Sequence, residues 1–354
     1  MRYLDLGTVA AEESQAVYHA LAELMTADQP VTLVTVSPKT PYVCVGYHQV
    51  ASREVDRDYC ETQRIPIGRR MVGGGAVWLD HDQIFWHLVM PRRHWSTNAL
   101  YSYFLAAPVA AYRRMGIRAE HRPVNDIVVG PRKIGGTGAG SIGHADVLVG
   151  SLMMDFDVRA MARVLKVPSE KFRDKLVSSL EDYMTTVRRE LGERAPTRET
   201  ATRYLVEAFS ELLQEPIIED RLTAPERERL AYYRRYLFDS QFVYQSEGYV
   251  QAGIKIRDGV RLFEGVHKAP GGLVRVIWRE ADGVIDDLVV SGDFFVEPLD
   301  AMRVVREAVK GMPGDTRVIR EQLSRLWPTF DMPGVSVDDI MNAMEHGQTL
   351  VVEA

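Results

Sequence analysis

Two segments of the sequence combine positively charged side chains with glycine. Residues 68–82 contain Arg70 followed by the triplet Gly73–Gly75, and residues 125–136 contain Lys133 ahead of a second glycine-rich turn. Guanidinium and ammonium groups donate charge-assisted hydrogen bonds to phosphates and carboxylates, and backbone without a Cβ atom lets a ligand approach closely. The two segments together predict a pocket for a ligand that carries a phosphate and an acyl group.

The second segment also contains a polar pair, Asn125 and Asp126. These residues supply an amide and a carboxylate within reach of Lys133 if the intervening strands form a hairpin. Asp126 then either ligates Mg²⁺ on the phosphates or orients Lys133, and a simple turn-capping pair is the third interpretation. Taken alone, a lysine in such a turn is usually solvated, and a lone glycine triplet is usually a flexible hairpin.

The elements that position these residues alternate between helices and strands. Apolar spacing predicts helices over residues 12–24 and 100–112. Runs rich in β-branched and apolar residues predict strands at 31–36, 42–45, 84–90, 127–129 and 147–149. The glycine-rich run at 135–140 is expected to be a loop that stays mobile until a ligand orders it.

The pattern changes after about residue 240. Before it, residues 169–191 and 198–213 and a segment from Ala224 are helical and charged. After it, short strands alternate with Asp-Gly turns at 258–259 and 282–283, and helices are expected at 301–309 and 318–326. We therefore predict an α+β protein with domains at 1–240 and 241–354.

Composition excludes several classes of protein. The chain has 354 residues, of which 46% are hydrophobic and 26% charged, and its net charge of -6 gives no basis for nucleic-acid binding. No secretory signal and no run of eighteen apolar residues is found, so we expect a cytoplasmic protein without a membrane segment. The two cysteines, Cys44 and Cys60, lack metal-binding spacing.

The sequence resembles the lipoate–protein ligase branch of the biotin/lipoate ligase family. Besides the two segments above, the resemblance rests on residues 41–49, which end in Gly-x-x-Gln, and on residues 150–157 and 271–295. It implies a mixed-sheet catalytic domain with a smaller α+β accessory domain. It also implies ATP and Mg²⁺ as cofactors and an acyl-adenylate intermediate. The acid would be lipoate, with octanoate as the alternative. The acceptor would be a lysine of a lipoyl domain, a glycine-cleavage H-type carrier or a stand-alone lipoate-binding protein.

The resemblance assigns roles to particular residues. Lys133 is implied as the catalytic residue, because an ammonium can contact both the acyl carbonyl and the phosphate of the mixed anhydride. Asp126 is implied as the metal ligand, and Arg69 is expected at the surface. The implied ligand-binding residues are Arg70, Gly73, Gly74, Gly75, Asp80, Asn125, Asp126 and Gly136.

Two departures from the family pattern bear on the substrate. Gly138 stands where many members have alanine, and Val149 stands where many have histidine. The alternatives are an octanoyl or lipoyl acyltransferase, which needs a cysteine beyond the lysine whereas none follows Cys60, and a non-catalytic protein that binds lipoyl domains. A biotin ligase is disfavoured because its arginine-glycine loop is absent.

Overall fold

The computed structural model describes residues 1–246 and 260–349. Its strands are β1 (Arg2–Val9), β2 (Thr32–Pro38), β3 (Tyr42–Val45), β4 (Ile67–Arg69), β5 (Val77–Leu79), β6 (Gln83–Pro91), β7 (Glu120–Arg122), β8 (Asp126–Val129), β9 (Arg132–Ile142), β10 (Ala145–Met153), β11 (Ile218–Glu219), β12 (Val260–Ala269), β13 (Gly272–Ala281), β14 (Val284–Gly292) and β15 (Gln348–Thr349). Its α-helices are α1 (Ala11–Leu24), α2 (Ala51–Glu54), α3 (Arg57–Gln63), α4 (Thr97–Phe104), α5 (Ala106–Arg114), α6 (Val158–Val164), α7 (Glu170–Tyr183), α8 (Val187–Leu191), α9 (Arg198–Leu213), α10 (Ala224–Tyr236), α11 (Ser240–Val243), α12 (Ala301–Val309), α13 (Thr316–Leu326) and α14 (Val337–Glu345).

An eight-stranded mixed sheet is the centre of the first unit. Its order is β11-β1-β2-β6-β10-β9-β8-β7, with β1 parallel to β11 and β2 and the other pairs antiparallel. Side chains of β6 alternate between the two faces. Phe85 packs towards α1 and α10, whereas Trp86 packs towards α5 and α9. Both faces of the sheet are therefore buried, which explains why β6 is almost wholly apolar.

Most predicted elements are present. The helix predicted at 12–24 is α1, and the strands predicted at 42–45 and 84–90 are β3 and β6. The helix predicted at 100–112 is divided at Leu105 into α4 and α5, and the helical segment 169–191 is divided into α7 and α8. The second break follows from local capping, because the Thr186 side chain accepts a hydrogen bond from the Arg189 backbone N–H and starts a new helix.

The prediction of a mobile glycine-rich loop is wrong. Residues 135–140 lie inside β9, which pairs with β10 on one side and β8 on the other. The glycines allow close packing instead: a Cβ atom on Gly138 or Gly140 would lie 3.4 Å from a side chain. The pairing of residues 135–136 with β8 and of residues 137–140 with β10 thus outweighs the flexibility that glycine gives an isolated chain.

The C-terminal region has a separate four-stranded sheet, β14-β13-β12-β15, with α12 to α14 packed on it. The Asp282-Gly283 turn joins β13 and β14 as predicted, and both residues have positive φ, as a tight hairpin requires. The turn predicted at 258–259 lies outside the described residues. Phe242 and Val243 of α11 pack in the core of the first unit, so we propose that the domain boundary follows α11.

Of the helices in residues 1–246 and 260–349, none combines the length and apolar composition that a bilayer crossing requires.

Candidate functional site

A cavity of about 350 Å³ lies on the face of the large sheet that α1 covers. Gly74 and Gly75 of the glycine triplet and residues of α7 form part of its other walls, whereas Gly73 does not line the cavity. Its polar and glycine lining residues include Gln15, Tyr18, Arg70, Gly74, Gly75, Gln83, His87, Asn125, Lys133, Gly136, Thr137, Ser151, Tyr183 and Asp293. The two glycine-containing segments, some fifty residues apart in sequence, therefore contribute to the same cavity.

Lys133 enters this cavity from the start of β9. Its Nζ lies 2.7 Å from Oδ1 of Asp126 on the neighbouring strand β8, and the Lys133 side chain is 26% exposed. The backbone carbonyl of Lys133 accepts a hydrogen bond from the Thr185 N–H at 2.8 Å. The lysine is thus fixed at both its backbone and its ammonium, unlike a solvated loop lysine.

Asp126 is held by three groups. Besides Lys133, Nη2 of Arg122 donates to Oδ2 at 2.8 Å and the Tyr183 hydroxyl donates to Oδ2 at 3.1 Å. Burial alone would raise the pKa of Asp126, but the neighbouring Lys133 and Arg122 outweigh it and the pKa is lowered. The carboxylate therefore stays ionised at neutral pH and keeps Lys133 in place.

Asn125 and Thr137 hold each other across the same two strands. The Asn125 side-chain amide donates to the Thr137 backbone carbonyl at 2.7 Å, and the Thr137 hydroxyl donates to the Asn125 backbone carbonyl at 2.6 Å. Both residues line the cavity, as does Gly136 between Lys133 and Thr137. The predicted hairpin thus brings the asparagine, the aspartate and the lysine together.

Arg70 is buried and fixes the glycine triplet from within. Its guanidinium donates to the carbonyls of Gly73, Gly75 and Cys44 at 2.8 to 3.3 Å. The structure therefore places Arg70 at the cavity, but with donors committed to the loop that covers it. Gly74 has φ of +94°, a conformation that favours glycine.

The expectation that Arg69 lies at the surface is wrong. Its side chain is fully buried and donates to the carbonyls of Gly46, Tyr47, Gln49, Phe242 and Val243. An arginine can be buried in this way because a ring of carbonyls satisfies its five donors. Arg69 thus joins α11 to the strands behind the glycine triplet.

Asp80 is not brought into the cavity. Its carboxylate accepts hydrogen bonds from the Trp78 indole at 2.7 Å, the Asp82 backbone at 3.1 Å and the Gln83 amide at 3.3 Å. Burial raises its pKa. These contacts hold the turn between β5 and β6, so Asp80 orients Gln83 at the cavity wall but does not line it.

The C-terminal region lies over the glycine triplet. The Gly74 N–H donates to the Phe294 carbonyl at 3.3 Å, and a Cβ atom on Gly73 would overlap that carbonyl. Phe295 inserts into the core of the first unit against Tyr101, with ring centroids 5.7 Å apart. Asp293 joins the cavity lining.

The sequence analysis missed several further lining residues, among them three with buried polar side chains: Gln15 and Tyr18 of α1 and His87 of β6. All three side chains are buried. A signal was available only for His87, which interrupts an otherwise apolar run on the same face of β6 as Phe85. The two family departures belong to the same part of the sheet, since Val149 pairs with both His87 and Gly138.

Neither cysteine is suited to nucleophilic chemistry here. Cys44 and Cys60 are both buried, and neither is among the described residues that line the cavity. Burial raises the pKa of both thiols, that of Cys60 to about 11. Both thiols are therefore protonated at neutral pH.

The glycine triplet yields a paired prediction. Gly75→Ala should leave the melting temperature almost unchanged, because the added Cβ would lie no closer than 3.6 Å to the nearest atoms outside residues 74–76. The same substitution should weaken ligand binding, because Gly75 lines the cavity. Gly73→Ala should lower the melting temperature, because its methyl would overlap the Phe294 carbonyl. Thermal melting and calorimetry with lipoate test the pair, and equal melting temperatures for the two variants would contradict it.

Comparison with known proteins identifies the family as the lipoate ligase family of the biotin/lipoate ligase superfamily. The family model described as the lipoyl protein ligase A/B catalytic domain matches residues 10–210, and the chain belongs to that family. The first unit therefore carries the family's catalytic domain.

Relatives with two activities match the chain. Lipoate-protein ligase A subunit 1 of Thermoplasma acidophilum is 31% identical over 56% of this chain and 78% of its own length. Lipoate–protein ligase 1 of Staphylococcus aureus is 25% identical over 80% and 82%. Octanoyltransferase LipM of Kyrpidia tusciae is 26% identical over 62% and 87%. The relatives that match this chain therefore include both ligases and a transferase.

A solved structure agrees with the fold. A bipartite lipoate protein ligase from Thermoplasma acidophilum, described together with its E2 lipoyl domain, matches with a TM-score of 0.63 and 26% identity, over 69% of this chain and 95% of that chain. The first unit thus shares the fold of that protein.

Proposed function

We propose that the protein is an ATP-dependent lipoate–protein ligase. It would activate lipoate as lipoyl-AMP and transfer the lipoyl group to a lysine of an acceptor protein such as a lipoyl domain. The observation that carries this proposal is a fixed, charged Lys133 in a cavity that has no cysteine among its described lining residues.

The chemistry needs a fixed positive charge. When a carboxylate attacks the α-phosphate of ATP, negative charge gathers on the phosphate oxygens as pyrophosphate leaves. One well-placed donor supplies about 3 kcal/mol of stabilisation to such a transition state. Lys133 is that donor: Asp126 holds its ammonium in the cavity, and Asn125 and Thr137 fix the strands beside it.

Asp126 fits the role of orienting Lys133 better than that of a metal ligand. Its oxygens already accept hydrogen bonds from Lys133, Arg122 and Tyr183. In residues 1–246 and 260–349, no group of three or more His, Cys, Asp or Glu side chains is arranged to hold a metal ion. We therefore assign no step to a protein-bound Mg²⁺.

The experiment that tests the proposal measures both half-reactions. Lipoate-dependent exchange between ATP and pyrophosphate reports the first. Mass spectrometry of a lipoyl domain incubated with protein, ATP, Mg²⁺ and lipoate reports the second. Absence of exchange together with lipoyl transfer from a thioester donor would favour the transferase activity of the LipM relatives.

A cysteine-free variant separates the same alternatives within this chain. Cys44→Ala combined with Cys60→Ala should keep ATP-dependent ligation within a few-fold of normal, because both thiols are buried and protonated and the proposed intermediate is not a thioester. Ligation by the double variant is compared with the unmodified protein after both melting temperatures are measured. Capture of an acyl-thioester on Cys44 or Cys60 of the unmodified protein would contradict the ligase assignment.

A further inference from the structure

Two of the most buried residues that line the cavity, Tyr18 and His87, are polar, although an acyl chain would lie beside them. Tyr18 is fully buried and His87 is 4% exposed, and their rings lie 4.8 Å apart. The opposite part, formed by α7, is more open: the Tyr183 side chain is 44% exposed. If the acid's carboxyl group lies at Lys133, the proposed function places its tail at the closed end, where apolar surface is buried best.

His87 has an unsatisfied polar atom there. Among the described residues, Nδ1 of His87 has no hydrogen-bond partner although it is buried. Burial lowers the pKa of His87 to about 3, so the imidazole is neutral and one of its nitrogens is an acceptor. A buried nitrogen left without a partner is costly, which is why such an atom beside a cavity indicates a ligand group or water.

Tyr18 adds a donor beside His87. The Gln15 amide donates to the Tyr18 hydroxyl at 2.8 Å, and Tyr42 in turn donates to the Gln15 carbonyl at 3.2 Å. Because the Tyr18 oxygen accepts, its own hydrogen remains available. The side chains on either side of His87 in the sheet, Val34 and Val149, are apolar. His87 is therefore a polar residue between apolar neighbours at this point of the sheet.

We propose that His87 and Tyr18, oriented by Gln15, form a subsite that selects medium-chain carboxylic acids with a heteroatom at the far end of the chain over plain saturated acids. This inference rests on the proposed function. A sulfur atom, as in the ring of lipoate, accepts weak hydrogen bonds and contacts aromatic rings favourably. A saturated tail would displace water from the His87 nitrogen and the Tyr18 hydroxyl without replacing the hydrogen bonds of that water. Binding of a saturated acid is therefore disfavoured.

Substitution of His87 tests the subsite. In His87→Leu, the ratio of kcat/KM for lipoate to that for octanoate should fall about tenfold, chiefly because octanoate improves. Tyr18→Phe should lower the ratio less than His87→Leu does. His87→Gln keeps a polar group and should therefore retain part of the preference for lipoate. The ratio is measured by ATP–pyrophosphate exchange, which needs no acceptor protein, and the ratio of the two dissociation constants by calorimetry.

His48→Leu is the matched control. His48 is also buried with an unpartnered ring nitrogen, but it stacks on Phe294 and is not among the cavity-lining residues. Its substitution should leave the ratio unchanged. A ratio within twofold of normal in folded His87→Leu, or an equal fall in His48→Leu, would overturn the subsite. If the unmodified protein exchanges with neither acid, the proposed function fails, whereas the calorimetric ratio still decides the subsite.

Discussion

Replacing Lys133 by alanine is expected to reduce lipoate-dependent ATP–pyrophosphate exchange by about a hundredfold or more, which corresponds to about 2.7 kcal/mol of transition-state stabilisation. The ammonium lies in the cavity and 2.7 Å from Asp126, so its removal leaves the developing phosphate charge without its fixed cation. Lys133→Arg should fail as well, because a planar guanidinium beside Asp126 cannot take the place of a compact point charge.

The expected loss is chemical and not structural. The Lys133 backbone bonds to Thr185 and to β8 remain in both variants, so their melting temperatures should stay close to normal. Lys39→Ala, at an exposed position, serves as the control and should not change exchange. Near-normal exchange by a folded Lys133→Ala variant would remove Lys133 from the proposed catalytic role.

Removal of the C-terminal region is expected to abolish ATP-dependent ligation while sparing transfer from supplied lipoyl-AMP. A chain that ends at Ser246 keeps α11 and therefore the carbonyls of Phe242 and Val243 that hold Arg69. It loses the Phe294 carbonyl bonded to Gly74. Without this cover, water reaches the mixed anhydride and the glycine segment is free to move, so the first half-reaction should suffer most.

A point substitution checks that the effect comes from closure. Phe295→Ala in the full chain removes the ring that packs against Tyr101 and should slow exchange more than transfer. The two half-reactions are measured separately, with circular dichroism to verify folding. Full ATP-dependent ligation by the folded shortened chain would show that the C-terminal region serves another purpose, such as selection of the acceptor.

The sequence by itself determined most of the helices and strands of the first unit and the pairing of Lys133 with Asp126. The helical spacing of α1, the apolar run of β6 and the Asp-Gly turn at 282–283 are local patterns with a single favourable conformation, and each is present in the structure. The association of Lys133 with Asp126 was also foreseeable, because a short hairpin between adjacent strands must bring such residues together.

Tertiary structure alone decided the features that depend on distant partners. Residues 135–140 form a strand because β8 pairs with residues 135–136 and β10 pairs with residues 137–140. Arg69 is buried because carbonyls from residues 46–49 and 242–243 surround it. The committed donors of Arg70, the cover by Phe294 and the placement of His87 beside Tyr18 likewise arise between segments far apart in sequence. Local patterns carry no information about such contacts, because their free energy exists only once the chain has folded.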